Sequence, residues 1–331
     1  MWEWYHTFHS SKESIIRLRD LRLAATASQR AVTGASPIEE QLSKRAEKDL
    51  QRSELLTAPI VFVALIAVFA MSLYEWRGVS TQRTFVGLEN YRQLAADPVF
   101  WLSLRHNLGM LLVAGGGVIP LSLLLAHALS GSRGAARGLR AIYLFPQVIS
   151  LVVVAILWYF ALNPSIGFAN SLVRAIGITP PENGWLGDTS TALPAVGLAF
   201  AWHAMGFYVM LFSAGLGGIP SDIADACRMD GAEGLTRFAR VTLPMLWSVL
   251  RVALIYLCIN VMNIFALVFL MTSGGPDRAS EVMLTYLYER AMKQNEFGYG
   301  TALAVANFVL VMTLAGAVLL LLRRDPTEAK P

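Results

Sequence analysis

Six long apolar segments constrain the fold of this chain more than any other feature. An α-helix needs roughly 20 predominantly apolar residues to cross the ~30 Å hydrocarbon core of a bilayer. The 331-residue chain is 55% hydrophobic and only 15% charged, which is the composition of a membrane protein. The segments are about Leu55–Tyr74, Leu108–Leu129, Ala141–Leu162, Ala192–Gly217, Met245–Met271 and Thr301–Leu322. They predict an all-α integral membrane protein with six transmembrane helices.

The distribution of basic residues predicts how these spans are oriented. Lys and Arg concentrate in cytoplasmic loops. Of the 27 Lys and Arg residues, eighteen lie in the two tails and in the second and fourth connections, and seven lie in the other three connections. We therefore expect both termini in the cytoplasm. The net charge of +4 reflects this topology and attraction to anionic lipid, and gives no sign of nucleic-acid binding.

The chain divides into three predicted parts. Residues 1–54 form a polar cytoplasmic extension, residues 55–322 the six-helix membrane domain, and residues 323–331 a cytoplasmic tail. Within the extension, Lys12–Gln29 fits an amphipathic helix on the membrane surface, and fits equally a segment without a binding role. The late start of the first apolar run argues against a cleavable signal peptide.

No motif in the chain predicts an enzyme or a metal site. The sequence lacks G-x-x-x-x-G-K-[ST], H-E-x-x-H and G-x-S-x-G, and its five histidines are scattered. Cys227 and Cys258 lie in unrelated contexts, which indicates two free thiols. No acidic pair within the spans suggests a proton relay. We expect this chain to bind no cofactor or metal, so any ATP that drives transport must be hydrolysed by another subunit.

A charged connection from Ser221 to Pro244 separates the fourth and fifth spans. It reads SDIADACRMDGAEGLTRFARVTLP, which is too long and too rich in helix formers for a simple turn. We expect Ser221 to cap a first helix and Gly231 to end it in a left-handed conformation. A second short helix over Thr236–Thr242 follows, and Pro244 begins the fifth span. These residues alone leave two interpretations open, a docking element for a cytoplasmic partner and a solvated amphipathic loop.

The spacing in this connection resembles the cytoplasmic motif of ABC importer membrane subunits, E-A-A-x-x-x-G, nine residues, then I-x-L-P. The chain has Asp225-Ala226-Cys227, three residues, Gly231, nine residues and Val241-Thr242-Leu243-Pro244, so three residue types differ and the register is kept. Asp230-Gly231-Ala232 with Phe238 resembles the carbohydrate branch, the maltose-type and glycerol-phosphate-type permeases. The resemblance implies that residues 218–245 form a helix–turn–helix loop coupled to an ATPase. The implied contact residues are Asp225, Ala226, Cys227, Asp230, Gly231, Ala232, Leu243 and Pro244.

Further matches to this family extend over roughly residues 55–322. They include the run FVGLENY from Phe85, the Thr272-x-Gly-Gly-Pro turn and the run FGYG from Phe297. One departure is His106-Asn107, where the family more often has Asn-Thr. The resemblance implies the type I ABC importer permease fold in a bacterial or archaeal inner membrane. It also implies three kinds of partner: a second homologous permease, two ABC ATPase subunits that use ATP and Mg, and an extracytoplasmic solute-binding protein.

Polar and aromatic residues inside the spans are candidates for solute contact. Sugars are held by amide and hydroxyl hydrogen bonds and by aromatic faces, and amides are costly in a span unless paired. Asn260 and Asn263 lie near one face of the fifth span, and Asn263 matches the polar position before the family's aromatic residue, here Phe265. Trp202 and Tyr208 lie in the fourth span. The alternative for the amides is bonding to neighbouring helices, and for the aromatic residues it is packing.

The sequence therefore indicates a membrane-spanning permease subunit of an ATP-driven ABC importer, without an ATPase site of its own. We expect it to translocate a sugar or a related polyol by alternating access. The alternatives are an ABC importer permease for a non-sugar solute, or a channel or scaffold that does not depend on ATP.

Overall fold

The computed structural model describes residues 48, 62–78, 82–130, 143–232 and 234–323. The chain forms two units, Met1–Ile66 and Ala67–Pro331. Of the first unit only residue 48 and residues 62–66 are described, and all of them are helical. The predicted amphipathic segment Lys12–Gln29, and the rest of the extension, lie outside the described residues.

Helices make up most of the second unit. In chain order they are α1 Phe62–Met71, which begins in the first unit, α2 Glu89–Ala96, α3 Pro98–Ser130, α4 143–148, α5 Leu151–Ala161, α6 Phe168–Ala175, α7 Ala192–Gly217, α8 Ser221–Met229, α9 Gly234–Arg237, α10 Leu243–Met245, α11 Trp247–Met262, α12 Ala266–Met271, α13 Met283–Tyr288 and α14 Phe297–Leu321. Two π-helical turns, Phe238–Thr242 and Glu289–Lys293, follow α9 and α13 respectively.

The long apolar helices confirm the membrane fold. Among the described residues, α3, α7 and α14 are each long and apolar enough to cross a bilayer. The bent pair Phe238–Met245 and Trp247–Met262 raises this number to four if it forms one span, while α1 and α5 are shorter apolar helices. The count of six spans stays a prediction.

The predicted boundaries hold for one span and shift for three. The fourth span is α7, Ala192–Gly217, as predicted. The second begins at Pro98 rather than at Leu108, because proline suits a first turn and Asp97 Oδ1 accepts the backbone N–H of Val99 at 2.8 Å. The sixth span begins at Phe297, and the first ends at Met71.

Two predicted spans are interrupted, so the expectation of continuous helices there is wrong. The third is divided into α4 and α5 at residues 149–150, where Ser150 has an extended backbone. The fifth is divided into α11 and α12 at residues 263–265. At the second break the Asn263 side chain bonds to the carbonyl of Ile259, and asparagine side chains that compete in this way favour helix ends.

A short hairpin that the all-α prediction omitted follows α1. Strands β1, Tyr74–Trp76, and β2, Arg83–Phe85, pair antiparallel with Tyr74 opposite Phe85. The Asn90 side chain in α2 donates to the carbonyls of Ser72 and Tyr74 at 2.8 and 3.1 Å. The hairpin is thereby fastened to the helix that follows it.

Two apolar clusters form the core of the second unit. The larger one lies between α3, α5, α7, α11 and α12 and contains Val154, Phe212 and Leu267, all fully buried. The smaller one joins the first turns of α3 to α13 and α14 through residues such as Phe100 and Leu303. Together they fix the two breaks and the ends of α11, where the candidate sites lie.

Candidate functional site

The first helix of the charged connection ends in a Schellman motif. Gly231 has φ of +69°, its N–H donates to the carbonyl of Arg228 at 3.1 Å, and the N–H of Ala232 donates to Cys227 at 2.8 Å. The predicted left-handed end is therefore confirmed. The prediction that Ser221 is the N-cap is wrong, because Pro220 takes the cap position and Ser221 is the first helical residue.

The second helix of the connection runs further than predicted. It continues from Gly234 through a π-helical turn to Met245 and contains the predicted segment Thr236–Thr242. Pro244 lies inside this helix, so the prediction that it begins the fifth span is wrong. Leu246 closes the helix by donating to the carbonyls of Thr242 and Leu243, and α11 starts at Trp247 after a bend of 66°.

The connection exposes one acidic edge. Asp225 forms an ion pair with Arg228 at 2.9 Å, and the two side chains are 68% and 65% exposed. Such an exposed pair contributes about 0–1 kcal/mol, so a basic group of another protein can replace Arg228 at little cost. Ala226, Asp230 and Gly231 are also exposed, while Cys227 is buried within the chain and Ala232, Leu243 and Pro244 are partly buried.

Two contacts join the connection to the long helices. The ring of Phe238 packs on His127 near the end of α3, with ring centroids 4.8 Å apart. Trp247 Nε1 donates to the carbonyl of Leu322 at the end of α14 at 3.0 Å. A displacement of the connection therefore acts on α3, α11 and α14 together.

The break between α11 and α12 gathers amides and aromatic rings. Asn263 Nδ2 donates to Ile259 O at 2.8 Å, and its Oδ1 accepts from Asn307 Nδ2 of α14 at 3.2 Å. Asn260 Nδ2 donates to Tyr256 O one turn back at 2.8 Å. Asn263 is exposed and Asn307 is buried, so the break presents an exposed amide that a buried amide of α14 fixes by a hydrogen bond.

Three aromatic rings cluster around α12, whose N-cap residue Phe265 lies two residues after that amide. Phe265 stacks on Phe269 at 5.0 Å with an interplanar angle of 17°. The ring of Tyr288 meets both of them, at 5.6 and 5.0 Å. An exposed amide two residues before a pair of stacked rings offers hydrogen bonding and an apolar face at one break, which is the combination that a sugar requires.

A polar frame joins α13 and α14 to the junction between α2 and α3. Tyr286 and Tyr299 both donate to Asp97 Oδ2, Tyr299 at 2.5 Å. Burial alone raises the pKa of Asp97, but the two tyrosine hydrogen bonds and the N–H of Val99 outweigh it and lower the pKa. Asp97 therefore stays ionised and holds the two tyrosines.

The loop between α12 and α13 carries a buried acidic residue. Glu281 has a side chain that is 5% exposed, accepts from Thr285 Oγ1 at 2.5 Å and contacts Arg278 at 3.1 Å. Burial raises the pKa of Glu281, although Thr285 and Arg278 oppose the shift. Arg278 also binds Glu289 at 2.8 Å, and this hydrogen bond raises the pKa of Arg278. The loop is therefore held by paired charges rather than by apolar packing alone.

Comparison with known proteins identifies the family. The family described as binding-protein-dependent transport system inner membrane component matches residues 118–324. This chain belongs to that family. Its members are the membrane-spanning permease subunits of ABC importers, which are transporter components whose ATPase activity lies in partner subunits.

Curated relatives cover most of this permease. A probable ABC transporter permease protein, YurN, of Bacillus subtilis is 34% identical over 257 residues, 77% of this chain and 87% of that protein. The trehalose/maltose transport permease MalF of Thermococcus litoralis is 33% identical over 265 residues, 78% and 88% of the two chains. The diacetylchitobiose uptake permease NgcF of Streptomyces coelicolor is 30% identical over 281 residues, 80% and 79%.

A solved structure shares the fold. A chain of a bacterial ABC transporter involved in the import of the acidic polysaccharide alginate superposes with a TM-score of 0.69 at 22% identity. The match covers 86% of this permease and all of that chain. The permease therefore has the fold of a type I ABC importer membrane subunit.

The structure brings together only some of the predicted solute contacts. Asn263 and Phe265 lie together at the break, and Asn260 lies one turn away. Trp202 packs on Trp158 with ring centroids 6.0 Å apart. Tyr208 is 1% exposed among the rings of the core.

Three residues of the break site were not predicted. Phe269 and Tyr288 carry no signal distinct from core aromatic residues. Asn307 does carry one, because a lone amide in an apolar span needs a partner.

Proposed function

We propose that this permease translocates a sugar or a related polyol and that the break between α11 and α12 is its solute contact. The observation that carries the proposal is the exposed amide of Asn263 at the break, two residues before Phe265, whose ring stacks on Phe269. The names of relatives support the same class, since they specify trehalose/maltose, diacetylchitobiose and multiple sugars. Asn260, Trp202 and Tyr208 belong to the same proposed set.

The proposed working unit contains further subunits. A second homologous permease completes the pathway, two ABC ATPase subunits hydrolyse ATP with Mg, and an extracytoplasmic binding protein delivers the solute. The proposed location is the plasma membrane of a bacterium or archaeon, with both termini and the α8–α10 connection on the cytoplasmic side. This orientation rests on the excess of basic residues on that side.

The connection α8–α10 is the proposed ATPase contact. Its exposed residues are Asp225, Ala226, Asp230 and Gly231. They offer two carboxylates and an open backbone surface, because no described residue lies within 4 Å of a Cβ built at Gly231. The remaining motif residues, Cys227, Ala232, Leu243 and Pro244, hold the two helices of the connection in place. ATPase closure would select one of two positions of the connection, and solute access would change with it.

The solute class is tested with the purified complex and its binding protein. ATPase activity is measured with maltose, trehalose, diacetylchitobiose, glycerol, an amino acid and a phosphate ester. We expect stimulation by one or more of the sugars or the polyol and none by the amino acid or the phosphate ester. Stimulation by a charged solute alone would overturn the assignment.

The coupling role is tested by Gly231→Asp, with Gly234→Asp as its control. Both glycines have positive φ, +69° and +57°, and no atom of the described part of the chain lies within 4 Å of a Cβ built at either. The two changes therefore impose similar backbone strain, but only Gly231 lies in the family motif. We expect Gly231→Asp to abolish uptake with normal membrane insertion and Gly234→Asp to retain most of it. Uptake at the wild-type rate with ATPase subunits still copurifying would show that the connection does not couple transport to ATP, as in a channel.

A further inference from the structure

A polar cavity lies at the end of α12 that is far from the break. It has a volume of about 510 Å³ and lies between α5, the loop that follows α6 and the residues that end α12. This volume is within the range of small-molecule sites, about 300–1,000 Å³. α12 has six residues, so at 1.5 Å per residue the cavity lies about 9 Å along the helix from the break site.

The cavity wall carries hydrogen-bonding groups that have no partner in the described chain. Asn183 is exposed, and its side chain makes no hydrogen bond to any residue that the structure describes. Asn163 Oδ1 accepts the N–H groups of Ser165 and Ile166 at 2.9 and 3.2 Å, which fixes the amide, while its Nδ2 has no acceptor among the described residues. Two amide N–H groups are thus available to a ligand.

The wall also offers acceptors and an aromatic ring. The Ser273 hydroxyl donates to Phe269 O at 3.0 Å and so keeps its own oxygen as an acceptor. Thr272 also donates to Val268 O at 3.0 Å, but its oxygen already accepts from the Ser280 hydroxyl at 2.7 Å, so the acceptor on this wall is Ser273. Tyr159, which lines the opposite side, is 45% exposed. Amide donors, a hydroxyl acceptor and an aromatic ring are groups that can hold a sugar ring.

Among the described residues, none that lines the cavity is charged. Transfer of a charged solute into a site without a counter-ion is strongly unfavourable. The wall therefore favours an uncharged solute over a uronate, a sugar phosphate or an amino acid. The described residues of the break site, Asn260, Asn263 and Asn307 with the three rings, are uncharged as well.

We propose that this cavity is a second subsite for a neutral sugar ring, which the solute occupies before or after the break site. The proposal rests on the sugar translocation proposed above and narrows the solute to uncharged sugars. The two subsites lie at the two ends of α12, so one oligosaccharide of two or three rings can span both.

The test measures solute binding by the complete complex in lipid nanodiscs without the binding protein. The probe is the radiolabelled neutral sugar that stimulates ATPase activity most in the panel above, and digalacturonate is the acidic competitor. Asn263→Ala weakens the break site and leaves the second subsite to be measured alone. In that background we expect residual binding that Asn183→Ala weakens about fivefold, the value of one lost hydrogen bond.

Matched controls separate this effect from general damage. Glu182→Ala changes the exposed neighbour of Asn183, and Phe160→Ala changes an exposed ring next to Tyr159; neither residue lines the cavity. We expect both controls to bind as the background does, Tyr159→Leu to weaken binding, and digalacturonate not to compete.

Each other outcome overturns a stated part of the inference. If the sugar stimulates ATPase activity but Asn183→Ala and Tyr159→Leu bind as their controls do, the second subsite is wrong. If Asn183→Ala changes only the concentration of binding protein needed for half-maximal ATPase activity, the cavity is a protein contact. Effective competition by digalacturonate overturns the neutral class. If no sugar of the panel stimulates the wild-type complex, the proposed function itself fails.

Discussion

Asn107 joins three helices through one buried amide. Its Nδ2 donates to the carbonyl of Val261 in α11 at 2.8 Å, and its Oδ1 accepts the N–H of Met283, which opens α13, at 2.9 Å. The residue is 0% exposed. Asn107→Ala leaves the buried N–H of Met283 without a partner, whereas the carbonyl of Val261 keeps the N–H of Ile264 at 3.3 Å. An unpaired buried N–H costs about 1–3 kcal/mol, so we expect the free energy of unfolding to fall by about 1–3 kcal/mol.

Ser103→Ala is the matched control. Ser103 lies one turn earlier on α3, is also 0% exposed, and its hydroxyl has no hydrogen-bond partner in the described part of the chain. Removing an unsatisfied hydroxyl is neutral or stabilising. The assay is thermal unfolding of the purified permease in detergent. We expect Asn107→Ala to unfold at least about 2 °C below Ser103→Ala.

The same variant tests how the break site is held. Val261 lies two residues before Asn263, so loss of the Asn107 bond frees the end of α11 that presents the amide. We expect Asn107→Ala to weaken sugar binding as well as stability. Equal unfolding temperatures for Asn107→Ala and Ser103→Ala would refute the reasoning, because the hydrogen bonds of Asn107 would then contribute nothing to stability.

Three further predictions concern the connection and the polar frame. Gly231→Asn should resist limited proteolysis as the wild type does, because asparagine tolerates positive φ, whereas Gly231→Val should be cleaved faster, since a branched residue costs about 1–3 kcal/mol there. The pKa of Asp97 in the folded protein lies below its ordinary 3.8, so ionised Asp97 stabilises the fold above pH 3.8 and this stabilisation is lost as pH falls through the lowered pKa. Asp97 should therefore contribute nothing to any change in unfolding temperature between pH 5 and 8. In Tyr286→Phe the pKa of Asp97 rises, so the loss of stability on acidification should begin at a higher pH. Glu281→Gln should change the unfolding free energy by less than about 1 kcal/mol, because the amide oxygen still accepts from Thr285 and a buried charge is removed. Glu281→Ala should lower the unfolding free energy by more than Glu281→Gln does, and chemical denaturation of the two variants checks this.

Features set by a local pattern were predictable from the sequence. The ends of α7 follow from an apolar run bounded by polar and glycine residues, and they match the prediction at Ala192 and Gly217. The left-handed end at Gly231 follows because no other residue type adopts that backbone as freely. The register of the motif around it is also a property of consecutive residues. These features need no knowledge of the rest of the fold.

Features set by distant residues were not predictable. The break at Asn263 is supported by Asn307, 44 residues later in the chain. The early start of α3 depends on Asp97, whose tyrosine partners are 189 and 202 residues away. Hydropathy alone joined α11 to α12, because both are apolar and the interruption is three residues long. The available sign that α11 and α14 meet was one amide in each apolar segment, Asn263 and Asn307, that needs a hydrogen-bond partner.

The position of the break suggests how the ATPase contact and the solute contact communicate. The bend of 66° lies at Leu246, which is 1% exposed, so the joint is packed rather than free. Trp247 fixes the same joint to α14 through Leu322. From there α11 runs 16 residues, about 24 Å, without interruption to the Asn263 break. A packed joint and one continuous helix transmit a displacement as a rigid lever, and the three-residue break is then where α12 can change its angle. On the proposed coupling, movement of the connection would therefore alter the spacing between Asn263 and the ring of Phe265 before it alters any other part of the solute site.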